Sequence, residues 1–327
     1  MRTGRIDRIV LCKIALIIVV VVVQTRTTAG NENELDQEIR QLVADLDSDQ
    51  YSIRNTAQQQ LRKIGDRAIP ELAKVVHSKS PEQRFRARQI ISEIRRRALL
   101  EGFTALARQS EKEMDLDHGM WLIARILDNH SDRDRIERKL NEMVAAVRHR
   151  LGKDVDASAA PPRKVVDAII HVLKVDYGLT GNVEDYDNPE NSSIERVLQS
   201  RKGLPILLSH AAISVAERMK VPLVGLQVPG RYMIKYDGSA APKGQPKDDI
   251  IINPFGGWEI LTPDQVKEII PSFDPVRHLE PSSRRLTLER MLRNLISDFA
   301  SARQPKKAAE ANEYLLILQS VSAVELP

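Results

Sequence analysis

The residues able to carry covalent chemistry are few, and their placement narrows what the chain can do. The single cysteine, Cys12, lies inside an apolar stretch near the N-terminus. The rest of the chain therefore has no thiol for a disulfide, a thiolate metal site or a Cys-His couple. Cys12 is not expected to carry lipid, because Ile9-Val10-Leu11 puts no small residue ahead of it. His130, His149 and His171 recur at no ligand spacing, and none lies four residues from another histidine. No metal centre and no cofactor are expected. Inside the long apolar helical run a nucleophile stands beside a base, at Ser209-His210. Helical neighbours point about 100° apart, so hydroxyl and imidazole do not face each other. No Gly-x-Ser-x-Gly elbow surrounds Ser209, and its hydroxyl is expected to bond to the preceding turn. His210 shares a helical face with Ser214 and Glu217, which reads as the less buried side of that helix.

These residues sit in the stretch that organises the chain. Ile206, Leu207, Leu208, Ala211, Ala212, Ile213, Val215, Ala216 and Met219 cover most of a helix circumference, so this helix must be enclosed. Pro205 suits its first turn, where a missing N–H leaves nothing unsatisfied. The period then changes. Val221 to Val228, Tyr232 to Tyr236 and Ile250 to Asn253 are β-branched and aromatic runs, separated by Pro229-Gly230, Asp237-Gly238 and Pro254-Phe255-Gly256-Gly257. A buried helix followed by an antiparallel meander predicts an α+β domain.

Several ordered motifs here carry a resemblance: Asp187-Asn188-Pro189-Glu190-Asn191-Ser192-Ser193, Arg201-Lys202-Gly203-Leu204-Pro205-Ile206, Val228-Pro229-Gly230-Arg231-Tyr232 and Ile252-Asn253-Pro254-Phe255-Gly256-Gly257. In order and spacing they resemble the SirB-type branch of the transglutaminase-like superfamily. The likeness runs from Gly178-Leu179-Thr180-Gly181-Asn182 to Arg290-Met291-Leu292-Arg293-Asn294-Leu295 and spans residues 112 to 320. It implies a papain-like core whose ancestral chemistry uses Cys, His and Asp: thiolate attack, proton acceptance and orientation of the imidazole. At the matched positions this chain has no Cys near Pro205, Arg231 in place of His and Asn253 in place of Asp. A guanidinium cannot act as a base near neutral pH, and an amide lacks the charge that steadies an imidazolium. Pro205, Ser209, Arg231 and Asn253 therefore form the candidate degenerate cleft. Asp187, Asn188 and Asn191 are expected to form a capped turn before a helix over 193 to 199.

The flanks read as separate parts. Residues 1–29 look like a signal peptide, with Arg2, Arg5 and Arg8 ahead of an unbroken apolar run over 14–23 and with Thr27-Thr28-Ala29 behind it. Even residues 9–23 fall short of the roughly 20 apolar residues that span a bilayer. Export to the periplasm or exterior is expected, with contact to a membrane only if the leader stays uncleaved and residues 9–23 anchor the chain. The leader holds five cations and one anion, leaving 44 of each sign in the remainder. The overall charge of +4 therefore belongs to the leader, and nucleic acid is not an expected partner. Residues 30–111 pattern as paired amphipathic helices similar to HEAT repeats, with Ile53 and Phe85 among their apolar positions. Asp47-Ser48-Asp49 reads as a cap, and Arg54 and Arg86 stand at matching points about 32 residues apart. Arg95-Arg96-Arg97 reads as a solvated helix end. The transglutaminase-like domain is placed at 112–283, and 284–327 resembles the family's tetratricopeptide-like helical hairpin.

Two functions follow. One is an exported, non-catalytic scaffold that meets a protein partner through its helical repeats. The other is a hydrolase or acyltransferase of the same superfamily with a rebuilt set of groups at Ser209 or Arg231.

Overall fold

In a computed structural model, residues 33–152 and 154–320 are described. The leader, with Cys12 and the proposed cleavage point, lies outside them. The chain divides into two compact units, one ending at Ala98 and the other beginning at Leu99.

The first unit is helical: α1 (33–45), α2 (Tyr51–Ile64), a 3-10 turn (Gly65–Ala68), α3 (Ile69–Lys74) and the first part of α4 (Pro81–Ala107). Its core holds Ile39, Leu42, Leu46, Ala57, Leu61, Leu72, Ala87, Ile90 and Ile94. Gly65 stops α2 at φ 77°, a conformation that costs glycine little. The elements repeat at an offset of thirty positions. Ser48 Oγ accepts from Gln50 N, and Arg54 Nη1 donates to the carbonyls of Ser48 (2.6 Å) and Asp49 (3.0 Å). Thirty residues on, Ser78 Oγ accepts from Ser80 N, and Arg84 Nη1 donates to the carbonyls of Ser78 (2.7 Å) and Lys79 (2.9 Å). The counterpart of Arg54 is thus Arg84. Arg86, the match expected at 32 residues, pairs instead with Glu82 at 2.6 Å. Three further expectations are corrected. The N-cap of α2 is Gln50, without a side-chain cap. Phe85 faces outward at 66% exposure, as does Ile53 at 37%. Arg95 to Arg97 lie within α4, which runs on to Ala107, and Arg97 donates to the Arg62 carbonyl.

The second unit builds one large core around α9 (Pro205–Arg218), of which every residue from Pro205 to Ala216 is buried. Around it lie α5 (Leu116–Leu127), α6 (Arg133–Leu151), α7 (Pro162–His171) and α8 (Ile194–Ser200). Asp115, Asp132 and Ser193 cap α5, α6 and α8 with side-chain oxygens on N-terminal N–H groups. A two-residue parallel pair, β1 (Thr180–Gly181) with β2 (Lys202–Gly203), precedes α9. An antiparallel sheet follows in the order β3 (Leu223–Val228), β4 (Arg231–Tyr236), β5 (Ile250–Asn253) and β6 (Glu259–Leu261). Alternation gives the sheet two buried faces. Tyr232, Ile234, Tyr236 and Ile252 join the core of α9. Leu226, Val228, Met233 and Ile251 meet Val266 of α10 (Pro263–Ile269), with Ile270 and Phe273. After the short α11 (Pro275–His278), α12 (Arg284–Ser301) and α13 (Pro305–Ser320) add Leu288, Met291, Leu295, Tyr314 and Leu318 to the large core. Tyr314 stacks on Phe103 at 4.8 Å.

Candidate functional site

Pro205 opens α9 as its first helical residue, after an extended Leu204. The pairing of β1 with β2 sets Gly181 beside Gly203, just ahead of that helix start. A Cβ on Gly181 would stand 2.6 Å from the Phe255 ring, so Gly181 lets the β5–β6 turn close in. That turn belongs to Asn253. Its buried side chain accepts from Gly256 N at 3.1 Å, and its carbonyl accepts from Trp258 N at 2.9 Å. Trp258 Nε1 then donates to the Leu179 carbonyl at 2.8 Å, tying the turn to the residue just ahead of β1. By alternation Asn253 falls on the face of Ile251, the side of the sheet away from α9. Asn253 therefore shapes its own loop.

Arg231 opens β4 and is exposed. Among the described residues no hydrogen bond or ion pair occupies its guanidinium, and its charge acts on the Tyr186 phenol. Tyr186 sits in the loop ahead of α8, which is held by amides. Asn182 Nδ2 donates to Asn191 Oδ1 at 2.8 Å, and Asn191 Nδ2 donates to the carbonyls of Asp185 (2.6 Å) and Tyr186 (3.0 Å). Asn188 caps a 3-10 turn over Pro189–Ser192. Asn188 and Asn191 thus play the structural part expected of them, while Asp187 takes no part in these bonds and stays exposed. The Tyr186 ring stands edge-on to Phe255 at 5.8 Å. Burial first, and then Asp298, raise the Tyr186 phenol, with Arg290 and Arg231 opposing.

Arg290 and Asp298 come from α12. Burial depresses Arg290, whose guanidinium lies 5.7 Å from the centre of the Tyr232 ring. Asp298 is buried, with Ser192 Oγ at 3.4 Å, and burial pushes its carboxyl up to about 6, helped by Asp187. Arg231, Arg290 and Asp298 thus all bear electrostatically on the Tyr186 phenol. Such a set can hold an anionic or peptide group through charge-assisted hydrogen bonds. Tyr186, Ser192, Arg290 and Asp298 escaped the sequence reading as site residues. Arg290 stood inside a quoted motif, but its neighbour Tyr186 is about a hundred positions away in sequence.

Ser209 is fully buried, and its Oγ has no hydrogen-bond partner among the described residues. The expected bond to the preceding turn is absent. His210 is equally buried, at 2% exposure, and so is Ser214; of the supposed exposed face only Glu217 is open to solvent. The reason is Asp117 of α5. Its Oδ1 lies 2.9 Å from His210 Nε2, off the line of the ring N–H, and its Oδ2 accepts from Ser214 Oγ at 2.9 Å and Arg218 Nη1 at 2.6 Å. Burial raises the Asp117 carboxyl, but His210 and Arg218 outweigh it and hold the group well below the usual carboxylate range. Among the described residues His210 Nδ1 has no hydrogen-bond partner, Ser209 included. Among the described residues no group of three or more His, Cys, Asp or Glu is placed to hold a metal ion, and no helix is long and apolar enough to cross a membrane.

Residues 134–293 match the transglutaminase-like superfamily. A UPF0162 protein of Xylella fastidiosa is 28% identical over 231 residues, covering 67% of this chain and 77% of the relative. A UPF0162 protein of Pseudomonas aeruginosa is 25% identical over 214 residues, covering 63% and 72%. Mouse F-box only protein 21 is 30% identical over 135 residues, covering 41% of this chain and 22% of that protein. No solved structure matches the chain significantly. The chain thus carries a transglutaminase-like superfamily domain and is homologous to UPF0162 proteins.

Proposed function

We propose, starting from this transglutaminase-like domain, that the chain is a non-catalytic, exported module of the SirB type that works by binding. The observation carrying this reading is Arg231 at the position matched to the catalytic histidine. A guanidinium stays protonated throughout the neutral range and cannot take a proton from a nucleophile. Its neighbours, Tyr186 and through it Arg290, suit contact with an anionic or peptide group instead. Asn253, at the orienting position, has its side chain engaged in its own turn. The enzyme alternative needs Ser209 beside a base in an open cleft, whereas Ser209 is sealed and its neighbour His210 faces Asp117. HEAT-like pairing of the N-terminal helices supports a protein-binding role for residues 30–111, and the apolar run over 14–23 supports export.

The test is turnover. The full chain and Arg231→Ala are assayed against glutaminyl, peptide and ester substrates. No turnover above blank is expected from either. Turnover that vanishes in Ser209→Ala or Arg231→Ala overturns the reading in favour of a rebuilt hydrolase or acyltransferase.

A further inference from the structure

A cavity of about 500 Å³ opens between α6, the segment after α7 and the end of α8. Its size is that of a small-molecule site. Ile136, Leu179 and Leu198, all buried, contribute apolar surface, and Tyr177 adds a ring. Most of the charges at its rim are already matched. Arg135 lies 3.2 Å from Glu195 and Lys139 lies 2.8 Å from Glu142. Arg201 differs: among the described residues no carboxylate lies within ion-pair distance of it.

Two features place that guanidinium. Arg201 follows α8 at φ 66°, in the left-handed region where glycine ordinarily ends a helix. It is pinned there because its carbonyl accepts from Thr180 N at 2.8 Å as β1 meets β2. Its side chain lies across Gly178, with Cδ at 3.6 Å and Nη1 at 3.8 Å from where a Cβ would stand, which is ordinary contact distance. A residue with a side chain in this conformation carries strain that glycine would remove, as Lys220 and Arg303 also do just after α9 and α12.

We propose that this cavity binds an amphipathic carboxylate, with its apolar body against Ile136, Leu179, Leu198 and Tyr177 and its carboxylate in the fork of Arg201. One unmatched guanidinium suits one monoanion bidentately. A phosphate dianion fits less well, because Glu142, Glu195 and Asp176 share the same wall. A fatty acid and the C-terminus of a peptide ending in an apolar residue both present this chemistry. The site is independent of the binding role assigned to Arg231, since the two share no residue.

The full chain is titrated by calorimetry with decanoate, with a short peptide ending in a free C-terminal leucine, and with decanamide and the amidated peptide as uncharged controls. Saturable binding of decanoate or of the free peptide is expected, and whichever binds identifies the source. The uncharged forms should bind about tenfold weaker or not at all. Arg201→Gly keeps the backbone and relieves the left-handed strain, so its thermal midpoint should rise while carboxylate binding falls about tenfold or more. Arg201→Lys should recover only part of the affinity, having charge without the fork. The proposal is overturned if neither carboxylate binds, if decanamide binds as well as decanoate, or if Arg201→Gly binds like the unaltered protein.

Discussion

His210 Nε2 lies 2.9 Å from Asp117 Oδ1, joining the buried helix α9 to α5 across 93 residues of sequence. His210, Ser214 and Arg218 form a polar stripe at four-residue spacing on a largely apolar helix, and Asp117 is the acid that meets all three. A buried charge is retained only when paired and hydrogen-bonded. This set therefore fixes how α9 seats on α5, and it engages the one imidazole that could have served Ser209.

Asp117→Asn should destabilise the protein by about 2–4 kcal/mol at pH 7, because His210 and Arg218 lose the negative charge they face. The folded carboxyl is held below its unfolded value. Its stabilisation is thus present above about pH 4 and lost as pH falls through the lower folded value. Urea unfolding at pH 7 and pH 3 checks this: the gap between the variant and the unaltered protein should narrow in acid. Equal midpoints at pH 7 would show that the pair contributes nothing.

Asp298 has the opposite sign. Its folded carboxyl is raised to about 6, above the unfolded value near 4, so the folded state favours the protonated form. The associated stability is complete below about pH 4 and disappears as pH rises through 6. Asp298→Asn should remove that slope and stabilise the protein above pH 7 by about 1–2 kcal/mol, after allowance for solvent screening. Thermal unfolding between pH 4 and pH 8 separates the outcomes; an unchanged slope would place the titration elsewhere.

What the sequence showed and hid follows from the range of each interaction. The enclosed helix and the three main strands were legible because burial writes a period into consecutive residues, as at Ile206 to Ala216 and Ile250 to Asn253. The face of His210, Ser214 and Glu217 was visible, but its sign was misread, and Arg218 was not counted in it. A polar stripe looks the same whether it meets water or an acid, and Asp117 had no local mark. Tyr186, Arg290 and Asp298 were hidden for the same reason, since their neighbourhood is made by packing α12 near the loop over 182–193. The end of α4 was misjudged because Arg95 to Arg97 look like a helix terminus while their main-chain bonds continue.

Gly225 lies beneath Tyr232, where a Cβ would come within 1.9 Å of the phenol oxygen, and that oxygen is 2.9 Å from Thr287 Oγ1. Gly225→Ala should therefore cost about 1–3 kcal/mol through overpacking. Adding Tyr232→Phe removes the nearest clashing atom and leaves the ring carbon Cζ at 2.6 Å, so the double variant should be more stable than the sum of the single losses by part of the overpacking cost. A double-mutant cycle by denaturant unfolding measures the coupling. Additive losses would mean that the ring shifts aside and that the contact does not set the spacing of β3 and β4.

The thirty-residue repeat of the N-terminal unit makes the last prediction. Arg54 and Arg84 each bind the two carbonyls of the turn ahead of their helix, and each turn is closed by a serine hydroxyl on an amide, at Gln50 and Ser80. Arg54→Ala and Arg84→Ala should each cost about 1 kcal/mol or slightly more, as cationic donors to carbonyls are lost. Each should also raise hydrogen exchange mainly at its own turn, the amide of Gln50 in one variant and of Ser80 in the other. Arg86→Ala removes a partly exposed pair with Glu82 and should leave the Ser80 amide protected. If Arg86→Ala exposed that amide and Arg84→Ala did not, the repeat would have to be read at 32 residues, and the equivalence of Arg54 and Arg84 would fall.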